Sequence, residues 1–284
     1  MKTIKSIAIA MILFAGFTSC SSEDDTQQNE KDPMVEFDLV AKINGNGHTV
    51  ELYSENNALV TGYNEIYIRI KDNADNGYFR DAEITWTPMM QMMDKAHSAP
   101  RSAVTLTGDR TVSKGFVVFQ MPGTEEEYWE LTVNYRLGGR DYTSVSDIGV
   151  KMPLDQKRRV ATFMGSDEVR YVLAMAGPQR PKVGVNDMRA MLFRMENSMD
   201  FPSVANYKIG LDPRMPAMGN HGTPNNTDLT YDAGSGSYNG KLNLSMTGYW
   251  KLNLKLWDAE GELLKGEDVN GEQEASSLFF ELEF

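Results

Sequence analysis

The fold is decided by ITWTPMMQMM, residues 84–93, and IGLDPRMPAM, residues 209–218, which align without a gap. Ile84, Pro88, Met90 and Met93 fall on Ile209, Pro213, Met215 and Met218 at a constant offset of 125. The same offset carries GFVVFQM, residues 115–121, onto GKLNLSM, residues 240–246. After a four-residue deletion WELTV, residues 129–133, matches WKLNL, residues 250–254, and upstream GYNEIYIRI from Gly62 matches GVNDMRAML from Gly184. Four blocks in one order mark an internal duplication, the first thing to establish before any local reading.

Within the blocks apolar residues alternate with polar ones. Trp129, Leu131, Val133 and Tyr135 share one parity, as do Trp250, Leu252, Leu254 and Leu256. Val117, Phe119 and Met121 repeat as Leu242, Leu244 and Met246. Period-2 alternation bounded by Gly and Asn turn signals predicts strands with one buried face. Each adjacent pair reads as an antiparallel hairpin, turned by MPGTEEEY in the first copy and MTGY in the second. Met188, Met191, Met195 and Met199 imitate a helical stripe, but the duplication assigns the beginning of this segment to the same strand as residues 65–71, whose Ile66, Ile68 and Ile70 alternate, so residues 187–194 are expected as a strand with Met188, Ala190 and Leu192 inward. The expected fold class is all-β, two tandem immunoglobulin-like β-sandwiches over residues 35–155 and 156–284, with Gln156–Arg159 as the charged junction.

The N-terminus carries Lys2 and Lys5 ahead of an apolar run from Ile7 to Phe17, too short to span a bilayer and placed as an export signal over residues 1–19. Phe17-Thr18-Ser19-Cys20 resembles a bacterial lipobox, which implies cleavage before Cys20 and acylation of its thiol. The following Ser21-Ser22-Glu23-Asp24-Asp25 resembles the surface-export tag of Bacteroidota lipoproteins. The expected product is a lipid-anchored outer-membrane protein of the cell envelope, carried on a flexible tether over residues 20–34. Cys20 is the sole cysteine, so a lipidated chain keeps no thiol for catalysis, metal or disulfide. Net charge is −12, becoming −14 without Lys2 and Lys5, a balance that argues against nucleic acid.

The chain has three histidines, and two lie beside methionine pairs. Met215, Met218 and His221, with Met246 farther on, assemble two to three thioethers and an imidazole, suitable donors for Cu(I). Met90, Met93, His97 and Met121 are the first-copy equivalents, with the histidine one residue farther away. The other reading of these residues is structural: methionine fills cores well, and a chain with 18 of them produces close pairs.

MPAMGNHGTP, residues 215–224, followed by YNGKLNLSMTGYWKLNLKLWD, residues 238–258, resembles the YtkA-like domain, related to the FixH group. The resemblance falls on Met215, Pro216, Met218, His221, Gly222, Gly240, Met246, Gly248 and Trp250. It is partial in the first copy, where Gln91 replaces the proline and Ser98 follows His97. It implies an extracytoplasmic β-sandwich associated with copper handling, and a copper donor or acceptor protein as partner.

No G-x-S-x-G elbow or H-E-x-x-H helix is present, and carboxylate spacing alone places no pair at a scissile bond. A non-enzymatic role is expected: Cu(I) binding or transfer, or else binding of a protein or glycan partner through the sandwich loops. For the latter, Trp86 and the strand face carrying Tyr67 and Arg69 are the candidate contacts, although Trp86 fits a core position equally well.

Overall fold

The structure, a computed structural model, describes residues 32–284. The signal, the lipobox with Cys20 and most of the tether lie outside the described residues. The described chain is all-β, its helical content being one 3-10 turn at Pro216–Met218. None of its helical segments is long and apolar enough to cross a membrane.

The first half contains β1 (Asp38–Gly45), β2 (His48–Ser54), β3 (Leu59–Val60), β4 (Gly62–Asp72), β5 (Glu83–Gln91) and β6 (Ala96–Ser98). It continues with β7 (Thr105–Leu106), β8 (Ser113–Phe119), β9 (Tyr128–Leu137), β10 (Arg140–Ile148) and β11 (Val150–Lys151). The second half contains β12 (Val160–Met164), β13 (Arg170–Gly177), β14 (Gly184–Arg194), β15 (Lys208–Met215) and β16 (His221–Gly222). It ends with β17 (Thr227–Asp232), β18 (Ser237–Leu244), β19 (Tyr249–Trp257), β20 (Leu263–Lys265) and β21 (Leu278–Glu283).

The pairings repeat as the duplication requires. One sheet runs β1-β2-β4-β8-β7, and its counterpart runs β12-β13-β14-β18-β17. The other runs β10-β9-β5-β6, answered by β21 on β19, β19 on β15 and β16 on β15. The parallel β3–β11 pair has no counterpart in the second half and β20 on β19 none in the first, but the largest difference lies at another strand. β7 pairs only with β8, whereas the longer β17 pairs with both β18 and β15, making the second half one continuous sheet nearly closed into a barrel.

The match extends to single hydrogen bonds. Buried Asn64 accepts from the Val60 N–H and donates to the Val60 and Gly62 carbonyls. Asn186 does the same with Lys182 and Gly184. Gly62 and Gly184 hold φ near +100°, a conformation open to glycine but strained for other residues.

Contrary to the hairpin expectation, β8 does not pair with β9, nor β18 with β19; each connection crosses from one sheet to the other. Val117 and Phe119 therefore meet Trp129, Leu131 and Val133 across one core, and Leu242 and Leu244 meet Trp250, Leu252 and Leu254 across another. Alternation correctly identified the buried faces. It does not distinguish strands lying side by side from strands facing each other, since both arrangements bury the same parity. The crossing is fixed identically in both halves: the Trp129 indole N–H donates to the Met121 carbonyl at 2.9 Å, and that of Trp250 to the Met246 carbonyl at 3.0 Å.

Residues 187–194 are strand, with Met188, Ala190 and Leu192 in the second core. Their neighbours Met191 and Phe193 face the other way, into a third cluster with Val172, Ala174 and Ala176 of β13 and Val118 of β8. RYVLAMAG of β13 is apolar on both faces because both are covered, one by its own half and one by the other. The halves are thus not packed separately: Pro33–Phe284 forms one compact unit. The junction is likewise tied down. The Arg158 N–H donates to the Glu281 carboxylate and the Glu281 N–H to the Arg158 carbonyl, while Lys157 pairs with Glu283 at 2.7 Å.

Candidate functional site

The two Met/His loops occupy equivalent places. Met90 pairs in register with His97, and Met215 with His221, so each short return strand sets a histidine opposite a methionine. The sequence builds the second loop from Pro216, which starts a 3-10 turn, and Gly219 and Asn220, both at positive φ, which end it.

The side chains are divided between core and surface. Met90 is fully buried and Met215 is 5% exposed, each part of the core of its half. Met93 is 79% and Met218 58% exposed, and Met246 and His221 are also on the surface. Met121 is partly buried against the first core. His97 is half-buried, edge-on to Trp129 with ring centroids 5.7 Å apart. Its Nδ1 lies 2.8 Å from the Ser98 carbonyl, which only accepts, so that nitrogen carries a proton.

Several residues of the YtkA-like pattern have packing roles. The Met215 methyl lies 3.3 Å from where a Gly248 Cβ would stand, so the glycine, at φ +119°, admits the thioether beneath the crossing turn. Met246 supplies the carbonyl that holds Trp250. No group of three or more His, Cys, Asp or Glu arranged for a metal occurs among the described residues.

The expected contacts on the first half are covered. Trp86 is 4% exposed within the first core, its indole N–H bonded to the Ser102 carbonyl at 2.9 Å. Arg69 is buried with its guanidinium 3.3 Å from the centre of the Tyr78 ring, and Tyr67 packs against Phe37 with the rings tilted by 48°. The N-terminal residues Met34 and Phe37, with Val112, close over this face. A cleft of about 560 Å³ between Trp86 and Phe201 holds Arg101, half-buried and bonded to the Ser98 hydroxyl; burial lowers its pKa.

One concavity lined by many groups that could face a ligand was missed in the sequence. It is a groove of about 480 Å³ on the outer face of β15 and β19. Gly210, Asp212, Asn253 and Trp257 contribute to its floor. One wall is the 223–228 segment and the other Glu267, Asp268 and Val269. The first wall is braced: the Asn226 amide donates to the Thr223 carbonyl and accepts from the Asn243 N–H, and the Asn243 amide donates to the Pro224 carbonyl. On the second, the Ser277 backbone N–H, assisted by the Ser277 hydroxyl, holds the Glu267 carboxyl below the usual range and ionised. Parity was the available signal. Trp257 and Gly210 both stand at outward positions of alternating strands, where a large aromatic over a glycine invites explanation.

No protein-family model matches the chain, and no curated protein matches it either.

Proposed function

We propose that this protein is a non-enzymatic, lipid-anchored component of the cell envelope that binds a partner outside the membrane through the loops and grooves of its second half. In this reading Cys20 carries the anchor, and the body consists of two tandem immunoglobulin-like β-sandwiches of YtkA-like type. The observation that carries it is the braced, polar groove on β15 and β19, in which carboxylates, amides and an indole are fixed before any partner arrives. Preorganised groups of this kind reduce the ordering cost of binding.

A second reading, Cu(I) binding or transfer, is favoured by the matching registers of Met90 with His97 and Met215 with His221. Its difficulty is the burial of Met90 and Met215, whose thioethers would have to leave their cores to reach a shared ion.

One experiment separates the two. Detergent-solubilised full-length protein is titrated anaerobically with Cu(I) against a competing chelator, and its saturable binding to envelope material is measured before and after protease or periodate treatment. Saturable envelope binding, with Cu(I) affinity unchanged in His221→Ala and Met218→Leu, supports the first reading. Stoichiometric Cu(I) binding lost in both variants, without envelope binding, overturns it in favour of copper.

A further inference from the structure

We infer that the β15–β19 groove is a subsite for a neutral, hydroxyl-rich saccharide, with the indole of Trp257 as its platform; this rests on the binding role proposed above and names its ligand class. The starting point is Gly210. Its φ is not in the positive range, so the backbone does not demand glycine. The indole does: a Cβ at Gly210 would fall 2.7 and 2.8 Å from Cζ3 and Cη2 of Trp257. The ring rests on the sheet where a side chain would otherwise stand, and remains half-exposed.

The duplication supplies a control within the chain. Gly210 pairs with Lys255 as Thr85 pairs with Asn134, and Lys208 with Trp257 as Glu83 with Arg136. Thr85 and Arg136 thus occupy the places of Gly210 and Trp257. Arg136 is held by two hydrogen bonds to Asp141, at 2.7 and 2.9 Å. The first half therefore folds with an ordinary exposed ion pair at this position, in a setting where β7 does not reach β5 as β17 reaches β15. Trp129 and Trp250, which the scaffold does require, are present in both halves and fully buried.

Charge selects among ligands. Asp212, Asp228, Glu267 and Asp268 line the groove, against Lys255 alone of the basic residues. Arg214 pairs with Asp212 at 2.8 Å, Lys208 with Asp228 and Lys255 with Asp268, which leaves Glu267 as the surplus charge: the carboxylates offer acceptor oxygens to donors, and the surplus disfavours phosphate, sulfate and uronate groups. Cationic ligands are disfavoured by the lysines already over the ring: Lys255, paired with Asp268, stands 4.9 Å from its centroid, and Lys208, paired with Asp228 at 2.8 Å, stands 5.2 Å away, and a sugar laid on the indole moves these flexible side chains aside. What remains is a neutral molecule with many hydroxyl donors and a C–H face to lay against an aromatic ring, which is the description of a neutral sugar. The volume lies within the range of small-ligand sites.

The test uses the detergent-solubilised full-length protein and a panel of neutral, uronic-acid-containing and sulfated oligosaccharides, followed by calorimetry on any that bind. Binding to a neutral oligosaccharide is expected, with affinity falling about tenfold or more in Trp257→Ala, as for loss of an aromatic anchor. Asn225→Gly, which suits the positive φ of that residue, should weaken binding without disturbing the fold. Arg136→Ala should leave it unchanged. Preference for acidic oligosaccharides, or undiminished affinity in a folded Trp257→Ala protein, overturns the inference. If no saccharide binds while protease-sensitive envelope material is still retained, the saccharide inference falls and the broader binding role stands; if neither is bound, both fall.

Discussion

Truncating Phe193 should destabilise both halves together. Phe193 is 3% exposed on β14 and packs in the cluster shared with Val118, its ring 6.2 Å from that of Phe116. The opposite face of the same strand contributes Met188, Ala190 and Leu192 to the second core. Phe193→Ala removes a buried ring at a place where two rigid sheets meet and neither collapses easily, a change that costs about 3–5 kcal/mol. Pro33–Phe284 stands at the top of the 150–250 residue range, where each kcal/mol lowers Tm by about 2 °C, so the expected fall is about 6–10 °C. Calorimetry provides the transition, and hydrogen exchange at β5 and β19 reports the halves separately. Wild type should melt in one transition and the variant in one lower transition, both strands losing protection in parallel. Met218→Ala, on an exposed loop, serves as control and should change stability by less than about 0.5 kcal/mol. Two wild-type transitions, with Phe193→Ala moving only that of the second half, would refute the view that the shared cluster couples the halves.

The indole hydrogen bonds should be equivalent in the two halves: Trp129→Phe and Trp250→Phe each lose one bond to a Met carbonyl and some buried ring, about 1–3 kcal/mol by denaturant unfolding, and a neutral result at either site would deny the bond its role in the crossing turn. Glu267 should report acid loosening of the second groove wall. A carboxyl whose pKa is lowered on folding adds stability above its unfolded value and loses it as pH falls through the lower folded value, so exchange at the Ser277 amide should quicken only below the ordinary carboxylate range, and an unshifted Glu267 titration by NMR would contradict this.

The architecture was legible wherever one residue type implied one environment. Alternation located β9 and β19, and the duplication prevented Met188–Met199 from being taken for a helix. Two features were not legible. Partner choice escaped because parity records which face is buried and not against which strand, so β8 and β9 were expected as a hairpin although they face each other across a core. The shared cluster escaped because Val172, Ala174 and Ala176 read as part of an ordinary apolar run, and the covering surface comes from a segment more than fifty residues distant, Val118 among it. The groove has the same character: Gly210 and Trp257 are far apart in sequence and acquire meaning only when β15 and β19 are adjacent.

The duplication also separates the residues that build the scaffold from those added to one copy of it. Met90, one residue before the end of β5, and Met215, at the end of β15, both lie inside a core, Met121 and Met246 both offer a carbonyl to an indole, and Trp129 and Trp250 are both buried. Packing therefore accounts for much of the Met, Gly and Trp pattern on which the YtkA-like resemblance rests, before any ligand is invoked. The histidines diverge: His97 lies against Trp129 and is engaged by Ser98, while His221 is exposed. A property residing in that pattern should be shared by both halves, whereas one residing where the halves differ should belong to one. Thr85 and Arg136 against Gly210 and Trp257 is such a difference, and it falls on an exposed surface where the fold tolerates either choice. An indole laid over a glycine in one half, where the other carries an ion pair, is the difference that the proposed saccharide contact requires.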